Sequence, residues 1–431
     1  MSAVRRWTAS TAVVMLGTIG VRGPTTTVEQ SAPGETTNYE VNGVQVVHRV
    51  NPASNVVSVR LYLLGGTRQL SGQTAGIEAL LLRTIMLERG RQLARTGSRE
   101  ILEFMPDWSV IGFVGLQDDV DSTWAAFVEL LSGPPESNRA IAQARGELMA
   151  FARRRYTQPD LRVRDIARFA AFQGHPYEFD PEGTEQSLDA LTKADLEHYW
   201  EEQAVTSRML LVVVGSVTRT QVETLVEQAL GTLPAGDYEW RLPPPPPERP
   251  PTWLTEQRLL PTNYILGYFI GPDPTHRDYF PFRVAVALLS SRVAYQVRAR
   301  KSLSYTAYAP FLDRGLPGGG IYASTSDPAT TLNVMRDEIE GIGSARYLSS
   351  TWRGFLDQFT LDELLDQMTT DGQAEAIARA YLYFGDLEMA DRYVDRLRRV
   401  NLAQVRNIAP RYFRNIYYGF LGDTMLMGGK W

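Results

Sequence analysis

A proline-rich segment near the middle of the chain is the strongest constraint on how this sequence can fold. Residues 243–251 read PPPPPERPP. Five successive prolines favour an extended polyproline II conformation, which has no hydrogen bonds of its own and behaves as a stiff spacer. A docking peptide for a proline-binding module is the alternative, but the central position favours a linker. The sequence therefore predicts two halves, residues 39–240 and 252–431, joined by a linker over residues 241–251.

The composition is typical of a folded protein with two domains. A chain of 431 residues suits two domains of roughly 200 residues each, because single hydrophobic cores rarely grow much larger. Hydrophobic residues make up 44% of the chain and charged residues 22%, which disfavours disorder. The net charge of −5 argues against nucleic acid as a partner, since nucleic-acid binding normally requires a basic face.

The chain has few side chains that bind metals. It contains no cysteine, which excludes disulfides, thiolate nucleophiles and cysteine-ligated zinc. It contains 4 histidines, and no two of them have the spacing of a sequence-local metal site: His48, His175, His198 and His276. We therefore expect no cofactor in this chain.

Residues 1–38 have the pattern of a targeting segment. Arg5 and Arg6 precede an uncharged stretch, residues 7–21, which is too short for a confident membrane span of about 20 residues. Residues 22–38 are rich in Thr, Ser, Pro, Gly and Glu, which predicts a flexible tether. We expect a signal peptide and export to the periplasm. An uncleaved N-terminal membrane anchor is the main alternative, and a disordered tail that is never exported is another.

Hydrophobic periodicity predicts a similar order of elements in both halves. Valine-rich runs predict strands, and apolar residues at helical spacing predict helices. In the first half, strands are predicted at 39–48, 56–64 and 108–116, and helices at 76–89, 120–131, 138–154 and 159–173. In the second half, strands are predicted at 262–270, 304–310 and 320–324, and helices at 280–300, 330–342, 361–383 and 387–399. We expect two homologous α+β domains, each a sheet with helices packed on one face.

Several segments, taken in order along the chain, resemble one peptidase family. They are VRLYLLGGTR at 59–68, Gly76 before a helix, GHPY at 174–177, Gly183-Thr184, LTKADL at 191–196, MLLVVVG at 209–215 and RARKSLSY at 298–305. Together they resemble the M16 (pitrilysin, insulinase and mitochondrial processing peptidase) family, over nearly everything from residue 39 to the C-terminus. The resemblance implies a LuxS/MPP-like metallohydrolase fold with a mixed or antiparallel sheet in each domain.

Members of this family that cleave peptides carry a His-x-x-Glu-His motif on the helix after that glycine. Its histidines bind zinc, and its glutamate acts as general base on the zinc-bound water. The resemblance places Ala79 at the first histidine, Leu82 at the glutamate and Arg83 at the second histidine. Alanine has no donor atom, leucine cannot move a proton and arginine stays protonated. We therefore expect no metal in this chain and no cleavage by this chain alone.

The third zinc ligand of the family is a glutamate on a later helix, for which Glu147 is the nearest candidate. It lies somewhat closer to Arg83 along the chain than is usual in the family. One hypothesis is that Arg83 replaces the charge of the metal and pairs with Glu147. The alternative is that both are ordinary solvated residues, since surface ion pairs contribute little.

The second half keeps a pair of residues that the family uses to bind the carbonyl oxygen of the scissile bond. Residues 297–305 resemble the family pattern Leu-Arg-x-x-x-x-Leu-x-Tyr and keep Arg298, Leu303 and Tyr305. A fixed cation and a phenol donor can stabilise the oxyanion that develops when hydroxide attacks. The alternative is a helix end, where cations complement the helix dipole and Tyr305 begins a strand. The resemblance favours the functional interpretation.

Two further motifs have structural interpretations. His175-Pro176-Tyr177 matches a family loop and is predicted to form a structural corner, not a ligand site. Gly318-Gly319-Gly320 is predicted to form a hairpin turn between strands.

The resemblance implies a divided function, in which the zinc half of the chemistry is missing and the oxyanion half is kept. Some bacterial members of the family are heterodimers that divide the parts in this way. We expect this chain to supply Arg298 and Tyr305 to a zinc-bearing M16 partner, in a closed chamber that takes peptide substrates. One alternative is a structural scaffold, like the core subunits of respiratory complex III. Another is a peptide-binding protein without a catalytic partner.

Overall fold

Two six-stranded sheets organise the chain, which the computed structural model describes over residues 34–247 and 249–429. The strands of the first sheet are β1 (Thr36–Val41), β2 (Val44–Val50), β3 (Val56–Leu64), β4 (Arg99–Phe104), β5 (Trp108–Leu116) and β6 (Met209–Gly215). Their order is β1-β2-β6-β3-β5-β4. The strands of the second sheet are β7 (Trp253–Gln257), β8 (Asn263–Ile270), β9 (Ser304–Tyr308), β10 (Phe311–Leu312), β11 (Gly318–Thr325) and β12 (Tyr417–Gly422). Their order is β10-β11-β8-β12-β7, and β9 also pairs with β11.

Helices connect these strands in both halves. Those of the first half are α1 (Ile77–Arg89), α2 (Arg91–Arg95), α3 (Val120–Leu130), α4 (Asn138–Thr157), α5 (Pro159–Phe172), α6 (Glu185–Ala190), α7 (Lys193–Gln203) and α8 (Arg219–Leu230). Those of the second half are α9 (Tyr279–Val293), α10 (Pro328–Gly341), α11 (Ser349–Asp366), α12 (Thr370–Arg379), α13 (Met389–Arg398) and α14 (Leu402–Tyr412). Two π-helical turns, Ala294–Arg300 and Ala380–Phe384, continue α9 and α12.

Most of the predicted targeting segment, residues 1–33, lies outside the described residues. The end of the predicted tether belongs to the fold, because β1 begins at Thr36 and pairs with β2. Among the described residues, no helix combines the length and the apolar character needed to cross a membrane.

The two sheets share a plan that agrees with an internal duplication. In each sheet, the last strand of that half runs parallel to an early strand: β6 pairs with β2, and β12 pairs with β7. The other strand pairs among the described residues are antiparallel. Both sheets are therefore mixed, and the predicted two-domain α+β architecture is confirmed.

Each sheet has its own helices on one face and a helix of the other half on the opposite face. In β3, alternate side chains such as Val57 and Val59 join the core formed with the helices of the first half. Tyr62, on the other face, packs in a cluster with Ala374 and Ile377 of α12. This second layer was not predicted, because side-chain alternation shows that both faces are buried but not which helix covers them.

Helix α5 makes the reciprocal exchange and covers the second sheet. Its residues Val163 and Ala167 pack in a cluster with Leu266 and Tyr322. Gly419 of β12 permits this approach, because a Cβ at that position would lie 2.6 Å from the backbone nitrogen of Ala167.

A buried ionic network fastens α12 to the first sheet. Arg60 of β3 is 1% exposed and pairs with Asp371 at 2.8 Å and with Glu375 at 2.6 Å, both on α12. Arg99 of β4 pairs with the second oxygen of Asp371 at 2.6 Å. Burial alone would raise the pKa of Asp371, but the hydrogen bonds from Arg60 and Arg99 outweigh burial and lower it. The carboxylate therefore stays ionised beside its cations.

Asp107 connects the halves at a second point. Its carboxylate is 1% exposed and accepts hydrogen bonds from the hydroxyl of Tyr177 in the first half. It also accepts from the hydroxyl of Tyr383 at 2.9 Å and from the backbone N–H of Gly315 at 2.7 Å, both in the second half. Burial and the charge of Asp107 raise the pKa of both tyrosines, so both hydroxyls remain protonated donors.

The linker has no helix or strand among its described residues, and it is held against both halves. Nε2 of His175 donates to the carbonyl of Pro244 at 2.9 Å, while its Nδ1 accepts from the backbone N–H of Tyr177. Arg249 donates to the carbonyl of Ala170, and its own carbonyl accepts from the hydroxyl of Tyr417. Burial lowers the pKa of His175, in agreement with a neutral structural corner.

Three sequence-based predictions of secondary structure are wrong. The strand predicted at 39–48 is two strands, since β1 ends at Val41, β2 begins at Val44 and the two pair as a hairpin. The helix predicted at 361–383 is interrupted, since α11 ends at Asp366 and Thr369 caps the start of α12. The predicted hairpin turn at Gly318-Gly319-Gly320 is the start of β11. A Cβ at Gly319 would lie 2.5 Å from the ring of Phe269, so this glycine makes room for a neighbouring strand and not for a turn.

Removal of the Asp107 carboxylate should destabilise the fold. In Asp107→Ala, Tyr177, Tyr383 and Gly315 lose their acceptor, and the free energy of unfolding should fall by about 3 kcal/mol or more, since each buried unpaired donor costs about 1–3 kcal/mol. Urea denaturation measures this change. The exposed Asp237 provides a matched control, and Asp237→Ala should have an effect within about 0.5 kcal/mol. Equal stability of the two variants would contradict the role of Asp107.

Candidate functional site

The positions that correspond to the zinc motif lie near the start of α1. Gly76 precedes this helix with φ of 88°, a conformation that favours glycine. Ala79 is 0% exposed and Leu82 is 1% exposed, and both belong to the hydrophobic core of the first half. Neither side chain has a ligand atom, so these positions do not fit a zinc ion. In the described part of the chain, no group of three or more His, Cys, Asp or Glu side chains could hold a metal ion.

Arg83 and Glu147 lie together, although 64 residues separate them in sequence. Nη1 of Arg83 is 3.3 Å from Oε2 of Glu147 on α4, and the side chains are 23% and 42% exposed. Gln143 donates to the other carboxylate oxygen at 3.1 Å. The structure therefore places these side chains as the charge-replacement hypothesis requires.

The positive charge of Arg83 also acts on a second acid. Burial raises the pKa of Glu182, and the attraction of Arg155 and Arg83 opposes this rise. Arg83 thus supplies positive charge to two carboxylates, Glu147 and Glu182.

Glu78, a buried carboxylate next to these positions, was missed in the sequence analysis. It is 5% exposed, pairs with Arg208 at 2.7 Å and accepts hydrogen bonds from the hydroxyls of Tyr199 at 2.8 Å and Ser109. Burial and Glu78 raise the pKa of Tyr199, so its hydroxyl stays a donor. The sequence signal that could have identified it is the position of one acidic residue among the apolar residues at the start of α1. Because its partners come from surrounding elements, Glu78 anchors α1 and is structural.

Arg298 lies where the helix is irregular. It belongs to the π-helical turn Ala294–Arg300, a conformation that occurs frequently at functional sites. Ser302, which follows this turn, has φ of 51°, in the left-handed region that residues other than glycine rarely adopt. The predicted helix at 280–300 therefore ends in a strained connection to β9.

Tyr305 lies at an irregularity of β9. Ser304 pairs with Thr325 of β11, whereas Thr306 pairs with the adjacent residue Ser324, so Tyr305 is the extra residue of a β-bulge. Bulges change the direction of a side chain and are common beside active sites. Tyr305 is 82% exposed.

These two irregularities bring Arg298 and Tyr305 into contact at the surface. The guanidinium carbon of Arg298 lies 5.0 Å from the centre of the Tyr305 ring, within the range of a cation–π interaction. Among the described residues, no hydrogen bond or ion pair involves the Arg298 guanidinium or the Tyr305 hydroxyl. Their donors are therefore available to a ligand.

The structure brings the predicted site residues together as two separate pairs. Within residues 34–247 and 249–429, no hydrogen bond, ion pair or ring contact joins Arg298 or Tyr305 to Arg83 or Glu147. One pair carries compensated charge, and the other presents unused donors.

Comparisons with known proteins show similarity to one peptidase family. Residues 190–346 match the model of the peptidase M16 inactive domain. The mitochondrial-processing peptidase subunit beta of Blastocladiella emersonii is 24% identical to this chain over 342 residues, which cover 71% of this chain and 72% of that protein.

Solved structures share the fold over most of the chain. The crystal structure of the peptidase M16 inactive domain from Pseudomonas fluorescens has a TM-score of 0.79 at 16% identity, covering 90% of this chain and 98% of that chain. A chain of complex III2 from Candida albicans has a TM-score of 0.75 at 17% identity, covering 90% of this chain and 95% of that chain. At these identities the likeness concerns the fold alone.

The full chain should bind no zinc at the degenerate motif. After dialysis against zinc and then against metal-free buffer, metal analysis should find far less than one ion per chain, because α1 presents hydrocarbon and a cation there. A bound ion that disappears in Glu147→Ala would overturn this interpretation.

The Arg83–Glu147 ion pair should contribute little to stability. A double-mutant cycle with Arg83→Ala and Glu147→Ala, followed by urea denaturation, should give a coupling energy below about 1 kcal/mol, as expected for a partly exposed pair. A coupling energy several times larger would instead identify the pair as a structural element of the fold.

Proposed function

Because this chain belongs to the M16 peptidase family, we propose that it is the Arg/Tyr-donating subunit of a heterodimeric zinc metallopeptidase that degrades or processes peptides in a closed chamber. It is a non-catalytic M16-fold protein, and the proposed partner is an M16 subunit that carries the zinc. One observation supports this division above all. The zinc positions Ala79 and Leu82 are buried hydrocarbon, whereas Arg298 and Tyr305 present free donors at the surface.

In the proposed complex, this chain acts on the carbonyl oxygen of the bond to be cleaved. The zinc ion of the partner would supply the attacking hydroxide and Lewis acidity. Arg298 would hold a fixed positive charge beside the carbonyl oxygen, and the hydroxyl of Tyr305 would donate a hydrogen bond to it. Both interactions strengthen as negative charge develops on that oxygen, so they favour the transition state over the bound substrate.

The geometry of the pair suits this role because the two backbone irregularities bring both side chains to one place on the surface before a substrate binds. The Tyr305 ring lies beside the Arg298 guanidinium at 5.0 Å, which limits the orientations of the guanidinium. The β-bulge and the π-helical turn fix the two backbones. Donors that are fixed in advance stabilise a transition state without reorganisation during the reaction.

The proposed location is the periplasm, either as an exported protein or through an N-terminal membrane anchor. This proposal depends on Arg5, Arg6 and the uncharged stretch at 7–21. Unfolded peptides and remnants of signal peptides are the proposed substrates in that compartment.

A structural scaffold is the alternative function. The chain from Candida albicans complex III2 is a structural precedent for this fold within a large assembly. A scaffold, however, has no use for an exposed Arg298 and Tyr305 whose donors are unused within the described residues. The peptidase subunit accounts for that arrangement, and we favour it.

Peptidase activity should appear only when this chain is mixed with its zinc-bearing partner. The candidate partner is an M16 chain from the same organism with an intact His-x-x-Glu-His motif, and the substrate is a quenched unstructured peptide. Arg298→Ala or Tyr305→Phe should reduce kcat by about 100-fold to 1000-fold with a smaller change in KM, as for the loss of one oxyanion donor.

Neighbouring residues provide matched controls for both substitutions. Arg300→Ala removes an exposed arginine from the same π-helical turn, and Tyr295→Phe removes a hydroxyl from a tyrosine that is 60% exposed. Both controls should retain the activity of the mixture. No gain of activity on mixing, despite a zinc-loaded partner, would favour the scaffold. Zinc-dependent cleavage by this chain alone would refute the proposed division.

A further inference from the structure

A cavity of about 180 Å³ lies between α5 and the second sheet, and neither the zinc positions nor the Arg298–Tyr305 pair contributes to its lining. Arg155, Arg164 and Arg168 line it from the first half, and Arg314 lines it from the second half. The cavity therefore lies at the junction of the two halves.

The charges in the cavity wall are only partly balanced. Arg155 pairs with Asp180, and Arg168 pairs with Asp165 at 2.7 Å. These aspartates are the acids in the lining, and neither forms an ion pair with Arg164 or Arg314. Arg164 donates instead to the hydroxyl oxygen of Tyr308 at 3.2 Å. Among the described residues, neither Arg164 nor Arg314 forms an ion pair, although Asp160 attracts Arg164 and Asp107 attracts Arg314 from a greater distance.

Arg314 is the better buried of these two cations. It is 8% exposed, and its Nε donates to the carbonyl of Leu316 at 3.2 Å. Its guanidinium lies over the rings of Phe172 at 4.2 Å and Tyr177 at 4.5 Å. Its Nη2 has no hydrogen-bond partner among the described residues. Burial lowers the pKa of Arg314, and the opposing attraction of Asp107 and the neighbouring tyrosines does not outweigh it. A buried donor without an acceptor is rare in folded proteins and is unfavourable.

We propose that this cavity binds a compact oxyanion, a carboxylate or a phosphate, between Arg164 and Arg314. The planar fork of a guanidinium matches the oxygen atoms of both groups. The volume of about 180 Å³ is several times the roughly 30 Å³ that one water occupies in the liquid, so a small anion fits. Asp165 and Asp180 limit the excess positive charge, which favours a mono- or dianion over a polyanion.

The position of the cavity gives the bound anion a second effect. Arg164 is on α5 of the first half, whereas Arg314 precedes β11 in the second half. An anion held by both would connect the halves. Because such a ligand binds only the folded chain, it should raise the melting temperature as its concentration rises.

Anion titrations of the full chain test this proposal. Sodium phosphate and sodium succinate are added separately at constant ionic strength, with sodium chloride as the reference, and thermal unfolding and isothermal titration calorimetry are recorded. We expect saturable binding and a rise in melting temperature with at least one of the two anions. A stronger response to phosphate or to succinate shows whether the site prefers a phosphate or a carboxylate. If neither anion raises the melting temperature or binds more strongly than chloride does, the proposal is overturned, and this result needs no variant of the chain.

An exposed arginine substitution tests the assignment of the site. Arg164→Gln removes one of the two cations that form no ion pair, at an exposed position, and should weaken binding of the preferred anion by about tenfold. Arg139→Gln is the matched control, because Arg139 is exposed on α4 and does not line the cavity. Binding to the control should equal that of the wild-type chain. Equal weakening in both variants would show a general effect of net charge and would refute the site.

Discussion

The buried guanidinium of Arg60 makes each half of this protein depend on the other. It lies inside the first sheet, yet Asp371 and Glu375, its partners at 2.8 and 2.6 Å, belong to α12 of the second half. Removing one partner of a buried ion pair typically costs about 3–5 kcal/mol, because the remaining charge is left uncompensated. Within the first sheet Arg60 has only the half-exposed Glu103 as a partner, at 3.2 Å, so the two carboxylates of α12 supply most of its compensation. Asp107, also in the first half, depends on the second half in the same way, because it accepts hydrogen bonds from the backbone N–H of Gly315 and the hydroxyl of Tyr383. Residues 34–431 consequently form one unit, although the sequence repeats as two domains.

Local sequence patterns predicted the elements better than their arrangement. Strand β3 was predicted with the observed bounds, Val56–Leu64, because its run of β-branched and apolar residues is typical of a strand that is buried on both faces. The start of α5 followed from Pro159, which suits the first turn of a helix. The exchange of α5 and α12 between the halves could not be predicted, because periodicity shows that a helix has an apolar face but not what that face covers. The apolar Leu365 and Met368 continue the pattern of α11 towards α12, which explains why the two helices were predicted as one.

The candidate site shows the same division between pattern and packing. The spacing of Arg298 and Tyr305 was recognised from the family resemblance, but their contact depends on a π-helical turn and a β-bulge that sequence spacing does not reveal. Arg83 and Glu147 lie 64 residues apart and meet only because α1 packs against α4. Arg314 carried no signal in a chain with 44 lysines and arginines, since neither its burial nor its place in the cavity wall can be read from the sequence.

The fold explains the residues at the zinc-motif positions, Ala79 and Leu82, but it does not explain Arg298 and Tyr305. Ala79 and Leu82 are 0% and 1% exposed, so polar ligands at these positions would be buried without a metal and would destabilise α1. Hydrocarbon is therefore the stable solution once zinc is absent. Arg298 and Tyr305 have no such structural reason. They gain little from their mutual contact in solvent, and the nearby left-handed conformation of Ser302 costs about 1–3 kcal/mol. The helix end accounts for the conformation of Ser302, because it lets the N–H of Leu303 donate to the carbonyl of Val297. The unused donors of Arg298 and Tyr305 are explained most directly by a ligand that needs them in this arrangement.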